Sequence, residues 1–191
     1  MEHNEEQGHQ GKWQEKLLKI RSLTIYGEIT QTVAEKVTAQ LLLLQEMGDQ
    51  PIKLFINSQG GHVEAGDTIH DVIRFVKPRI IVIGTGWVAS AGITIYLAAD
   101  KQDRYSLPNT RYMIHQPLGG VRGPATDIRI ETDEIVKTRS RINKLISDGT
   151  GQTLEKVEKD TQRNYWLDAQ EAKEYGIVNQ IISQYSDLPI L

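Results

Sequence analysis

IKLFINSQGGHVEAGDTIHDVIRFVKPRIIVIGTGWVASAGITIYLAA, residues 52–99, reads as two copies of one structural sentence. Ile52 to Asn57 is an apolar run of strand length, followed by Ser58-Gln59-Gly60-Gly61 as a loop. A helix follows from about Val63 to Val76, closed by Lys77-Pro78. Arg79 to Thr85 then holds Ile80-Ile81-Val82-Ile83, a second buried strand. Gly86 to Gly92 reads as a turn, and Ile93 to Ala99 as an apolar helix. Strand, loop, helix repeated in this way predicts right-handed crossovers and an α/β fold with a largely parallel sheet.

Outward from that stretch, Ser22 to Tyr26 is extended up to Gly27, and Val33, Val37, Leu41 and Leu44 mark a helix over about Thr32 to Met47. Residues 1–14 form a polar arm, with 15–191 as a single domain. Toward the C-terminus, Tyr112-Met113-Ile114 is extended. Gln116-Pro117-Leu118-Gly119-Gly120 introduces a long charged helix, about Ala125 to Ser147, with Ile128, Ile135, Ile142 and Leu145 as sparse apolar positions. So sparse a stripe suits a helix that projects from the body. Helices from Leu154 to about Gln162 and from Ala169 to Tyr175 follow, with a last strand in Ile177-Val178 and Ile181-Ile182.

The chain has 191 residues, 39% hydrophobic and 25% charged, enough for one domain that buries roughly two-thirds of its unfolded surface. Its 22 Lys+Arg against 25 Asp+Glu give a net charge of −3, which argues against a general affinity for nucleic acid or anionic membrane. The arm lacks the apolar core of a signal peptide, and no apolar run approaches a membrane span, so a cytoplasmic protein is expected. There is no cysteine, so thiolate chemistry is excluded and a covalent nucleophile must be Ser, Thr, Lys or a carboxylate.

Three features can carry chemistry. Ser90 follows a strand and opens a helix, between the small Ala89 and Ala91-Gly92, where unpaired N–H groups favour a developing oxyanion; taken alone, a plain helix cap is the simpler reading, since this is not a G-x-S-x-G elbow. His115 ends an apolar strand beside a glycine-rich edge, or is a hydrogen-bonded core residue. Gly60-Gly61 lets the backbone approach a ligand, or makes a tight turn. No metal-ligand pattern stands out.

Taken together, Ile56-Asn57-Ser58-Gln59-Gly60-Gly61, the pattern Gly86-x-x-Ala89-Ser90-x-Gly92, and Met113 to Gly120 resemble the signature blocks of the Clp protease proteolytic subunit family, ClpP. Ala125 to Ile128, Thr150-Gly151-Gln152 and Glu171-Ala172-x-x-Tyr175-Gly176 extend the resemblance over about residues 20–182. It implies a crotonase-like α/β head and a handle, approximately residues 116–150, that joins two heptameric rings into a barrel. Ser90 would be the nucleophile and His115 the general base, with the N–H groups of Gly61 and Ala91 as the oxyanion hole. An extended peptide would lie between Gly60, Gly61, His62 and Val63 on one side and Gln116, Pro117, Leu118 and Gly119 on the other. An AAA+ unfoldase would feed in unfolded polypeptide, using ATP itself, so this chain needs no cofactor.

The chain departs from the family pattern at three places. The third triad position reads Asn164, which carries no charge to stabilise an imidazolium; the equivalent exchange costs about 10⁴ in a serine protease. Asp160, one helical turn earlier, is an alternative carboxylate. Gln162 stands where a ring-pairing Asp is usual, beside a retained Arg163, and Lys53 and Thr85 interrupt an unfoldase pocket otherwise marked by Phe55, Phe75, Ile83 and Leu107. These departures suit a specialised subunit that forms a tetradecamer with itself or with a more typical paralogue. The rival readings are a non-catalytic ring subunit and a crotonase-type acyl-CoA enzyme with Glu64 as acid.

Overall fold

The computed structural model describes residues 13–189. The polar arm lies outside them except for residues 13 and 14, which belong to a helix, α1, over 13–19. Seven strands make one sheet: β1 (Ser22–Ile29), β2 (Ile52–Gly61), β3 (Ile80–Ala89), β4 (Arg104–Ser106), β5 (Arg111–Ile114), β6 (Tyr165–Leu167) and β7 (Gln180–Ile181). Six helices join α1: α2 (Gln31–Glu46), α3 (Val63–Phe75), α4 (Ala91–Tyr96), α5 (Ala125–Thr150), α6 (Leu154–Asp160) and α7 (Ala169–Tyr175). All strand pairings are parallel except β5 with β6.

β3 is the hinge of this architecture. Its first half pairs with β4 through Val82 to Gly84, and its second half with β5 through Trp87 to Ala89. The sheet therefore forks, one branch running on to β7 and the other to β6. Leu54, Ile56, Ile69, Val82 and Val88 are fully buried between the sheet and its helices, as their apolar spacing demands.

Several expected boundaries move. Ser58 to Gly61 is strand rather than loop, and Gly86 to Ala89 is strand rather than turn. The glycines there have positive φ (+98° at Gly60, +156° at Gly61, +62° at Gly86), so the chain bends within a bulged ladder without leaving it. The apolar helix starts at Ala91 and ends at Tyr96, and the last strand shrinks to Gln180–Ile181. β4 and β6 have no counterpart in the hydrophobic pattern, each being only three residues long.

α5 projects as its pattern suggests. Its first four turns are exposed, whereas Ile142, Asn143, Ile146 and Thr150 dock on the body. Arg104, buried among apolar residues, ties that docked end to α4 by donating to Leu97 O (3.0 Å), Ala99 O (2.8 Å) and Gly149 O (2.6 Å).

Tyr112, at the centre of β5, is fully buried with no hydrogen-bond partner for its hydroxyl. Burial pushes its pKa up to about 12. Below pH 10 the phenol is protonated in folded and unfolded chains alike, so the stability it carries is complete. Between pH 10 and 12 the unfolded chain loses the proton first, and stability falls by about 3 kcal/mol. Tyr112→Phe should therefore be neutral or mildly stabilising at pH 7, and should flatten the alkaline limb of urea midpoints measured from pH 9 to 12.

Candidate active site

Ser90, His115 and Asn164 come from the ends of three adjacent strands. Ser90 follows β3, His115 follows β5 and Asn164 precedes β6, so the branch β3–β5–β6 gathers all three at one edge. Ser90 has φ +54° and ψ −122°, a conformation that costs about 1–3 kcal/mol for a residue with a side chain. Its N–H donates to Met113 O (3.0 Å) and its C=O accepts from Ile93 N–H (2.9 Å), and these bonds hold the strained turn.

The Ser90 hydroxyl makes no helix-capping hydrogen bond. Instead its Oγ lies 2.8 Å from His115 Nε2, while His115 Nδ1 lies 3.0 Å from Asn164 Oδ1. With the amide oxygen facing Nδ1, that nitrogen carries the proton and Nε2 presents its lone pair to the Ser90 O–H. Ser90 is therefore no helix cap, and His115 is half-buried rather than enclosed in the core. Asp160 is not part of it: its carboxylate accepts from Lys156 Nζ (2.5 Å) and Tyr175 OH (2.9 Å). The side chain that faces His115 Nδ1 is an amide.

Gly60 and Gly61 fit beneath this arrangement for separate reasons. A methyl group at Gly60 would lie 2.6 Å from Ser90 Cβ and 2.9 Å from Ala89 O. One at Gly61 would collide with the backbone of Ile29. Gly60 N–H is already bonded to Ser58 Oγ (3.0 Å), and His62 N–H to Ile29 O (2.8 Å). Successive N–H groups along a strand point to opposite sides, so Gly61 N–H faces away from β1, toward the Ser90 side of β2. Ala91 N–H, first in the six-residue α4, has no intrahelical acceptor. Both donors belong to segments that adjoin Ser90: Gly61 follows Gly60, which packs under Ser90, and Ala91 is the next residue in the chain.

The remaining predicted residues divide. Gly61, His62, Val63, Pro117, Leu118 and Gly119 line one open groove of about 1070 Å³ between β2 and the exposed part of α5. Gly60 lies under Ser90 rather than on the groove wall. Gln116 lines a separate, adjoining cavity together with His115, Leu118 and Asn164. Its N–H donates to Thr161 O (2.7 Å) and its Nε2 to Gln162 O (2.9 Å), so it stitches β5 to the segment bearing Asn164.

Beside Ser90, a small recess is walled by Val63, Ile93, Ile114, Ile142 and Ile146, of which the sequence resemblance places only Val63 near a substrate. Glu64, also on the groove, is held below the usual carboxylate pKa, chiefly by a backbone hydrogen bond, so it is ionised at neutral pH and unsuited to donating a proton. No cluster of metal-ligating residues occurs among the described residues, and none of their helices is long and apolar enough to cross a membrane.

At the other face, Lys53 is buried, its Nζ donating to Tyr185 OH (2.7 Å). Phe55 and Leu107 pack with Ile83 and Tyr105 in a second, smaller core, whereas Phe75 is exposed apart from it.

Comparison with known proteins agrees with this architecture. The Clp protease family model matches residues 4–185. The ATP-dependent Clp protease proteolytic subunit 3 of Rhizobium meliloti is 55% identical over 90% of this chain and 88% of its own length. Subunit 2 of Pseudomonas aeruginosa is 51% identical over 90% and 85%. The solved structure of ClpP1 from Listeria monocytogenes is 59% identical, superposes with a TM-score of 0.84, and is covered over 99% of its length by 93% of this chain. An asparagine-to-aspartate variant of that ClpP1 superposes with a TM-score of 0.87 over 92% of this chain and 98% of its own. With its forked parallel sheet, its serine on a strained turn and its match along almost the whole length, the chain belongs to the Clp protease family.

Proposed function

We propose that this chain is a serine endopeptidase subunit of a barrel-shaped protease that cuts unfolded polypeptides into short peptides, and that it is weakly active alone. The observation that carries this reading is the continuous contact from Ser90 Oγ to His115 Nε2 and from His115 Nδ1 to Asn164 Oδ1. His115 takes the Ser90 proton as Oγ attacks the peptide carbonyl, then gives it to the departing amine. Gly61 and Ala91 N–H groups hold the oxyanion, and water, deprotonated by His115, releases the acyl group. The aliphatic recess beside Ser90 favours an apolar side chain before the cut bond, and Gly61 to Val63 with Pro117 to Gly119 form the walls along which the peptide extends.

Asn164 limits the rate, because an amide orients the imidazole but does not neutralise the imidazolium formed on proton transfer. In this reading the chain works in heptameric rings in the cytoplasm, stacked as a tetradecamer with itself or with a paralogue, and an AAA+ unfoldase supplies the substrate. Asn164 also favours a second reading, a non-catalytic subunit that completes a barrel around an active partner.

A short fluorogenic peptide assay on the mixed assembly separates the two. The catalytic reading expects Ser90→Ala in this chain to lower the rate of the mixed barrel. An unchanged rate leaves the structural reading standing.

A further inference from the structure

We propose that Trp87, Arg111 and Trp166 act together as a clamp that holds β6 against β3 and so positions Asn164 on His115; this rests on reading Ser90, His115 and Asn164 as one catalytic group. Each clamp residue sits on a strand that delivers one member of that group. Trp87 lies three residues before Ser90, Arg111 four before His115, and Trp166 two after Asn164. Their side chains meet on one face of the sheet. The indoles of Trp87 and Trp166 stack at 9° with centroids 6.2 Å apart, and the Arg111 guanidinium lies 4.4 Å from the Trp166 ring centre.

β6 needs such a tie. It is three residues long, is the end strand of its branch, and pairs only with β5. Asn164 at its entry is exposed, and its side chain bonds to His115 alone among the described residues. Backbone pairing to β5 fixes the register of β6 but leaves its tilt relative to β3 free, and that tilt sets the amide's distance from the imidazole. The indole stack reaches across β5 to β3, the strand that carries Ser90. Trp166 also faces Met113 across the strands, and Met113 O accepts the Ser90 N–H. One aromatic face therefore touches the supports of all three residues. Trp87 remains 40% exposed, so the stack lies at the surface of the sheet rather than in the core.

The test is the rate at which a fluorophosphonate probe labels Ser90 in the purified chain. Trp166→Ala should slow labelling by about 10-fold to 100-fold, as for a catalytic group displaced by a fraction of an ångström. Trp166→Phe, which keeps a stacking ring, should recover most of that rate. In an Asn164→Ala background, Trp166→Ala should change the rate by less than about two-fold, because no amide is left to position. The same fractional slowing in both backgrounds overturns the proposal, as does a Trp166→Phe variant no faster than Trp166→Ala. Labelling that persists in Ser90→Ala would instead sink the site reading on which the proposal rests, so the two failures are told apart.

Discussion

Asn164→Asp should raise peptide turnover by about 10²-fold to 10⁴-fold. The substitution keeps the shape and exchanges an amide for a charge, 3.0 Å from the nitrogen that becomes part of an imidazolium. A full factor of 10⁴, about 5.5 kcal/mol of barrier, is the ceiling set by the reverse exchange in serine proteases. Asn164 is exposed, so water and salt screen the new carboxylate and bring the gain below that ceiling. KM should change little, because residue 164 does not line the groove between β2 and α5 proposed to hold the peptide. Steady-state kinetics on a short fluorogenic peptide checks this, with Ser90→Ala added to the Asn164→Asp variant to show that the gained activity belongs to Ser90. A variant that gains nothing would place the limit in assembly, and Gln162→Asp would then be the substitution that restores activity.

Gly61→Ala should lower turnover by at least about 10²-fold and destabilise the chain as well. At φ +156° an alanine is strained, and its methyl group runs into Ile29, so β1 and β2 must part at their ends. In the proposed mechanism that movement withdraws the Gly61 N–H from the oxyanion, and loss of one such donor costs about 10²–10³ in kcat. Gly48→Ala is the matched control. Gly48 also has positive φ, +129°, but open space around its side-chain position. Both variants should melt earlier than the parent, while only Gly61→Ala loses activity. Equal activity in the two variants would remove Gly61 from the site.

Much of this was legible in the sequence because the chemistry sits at strand ends that the apolar runs mark. Ile80 to Ile83 and Tyr112 to Ile114 locate the strands, and Ser90 and His115 follow from them. The resemblance to ClpP placed Asn164, which no periodicity marks: β6 is three residues long and its pairing to β5 is long-range. The glycines misled in a consistent way. Gly60, Gly61 and Gly86 read as turns because glycine breaks the local pattern, yet the neighbouring strands keep them in the ladder. The bond from Gln116 N–H to Thr161 O could not be read from the sequence either, because it joins segments far apart in the chain. The Trp87–Trp166 stack is of the same kind, since only the fork of β3 brings β6 within reach.

Ser90 as a nucleophile activated by His115 has a direct chemical test. Intact mass spectrometry of the purified chain after incubation with a fluorophosphonate tests it, since attack by Oγ on phosphorus expels fluoride and leaves one stable adduct. The expected result is a single adduct, located on Ser90 by peptide mapping, that forms far more slowly in His115→Ala and not at all in Ser90→Ala. A chain that stays unlabelled, or that is labelled equally well without Ser90, would contradict it.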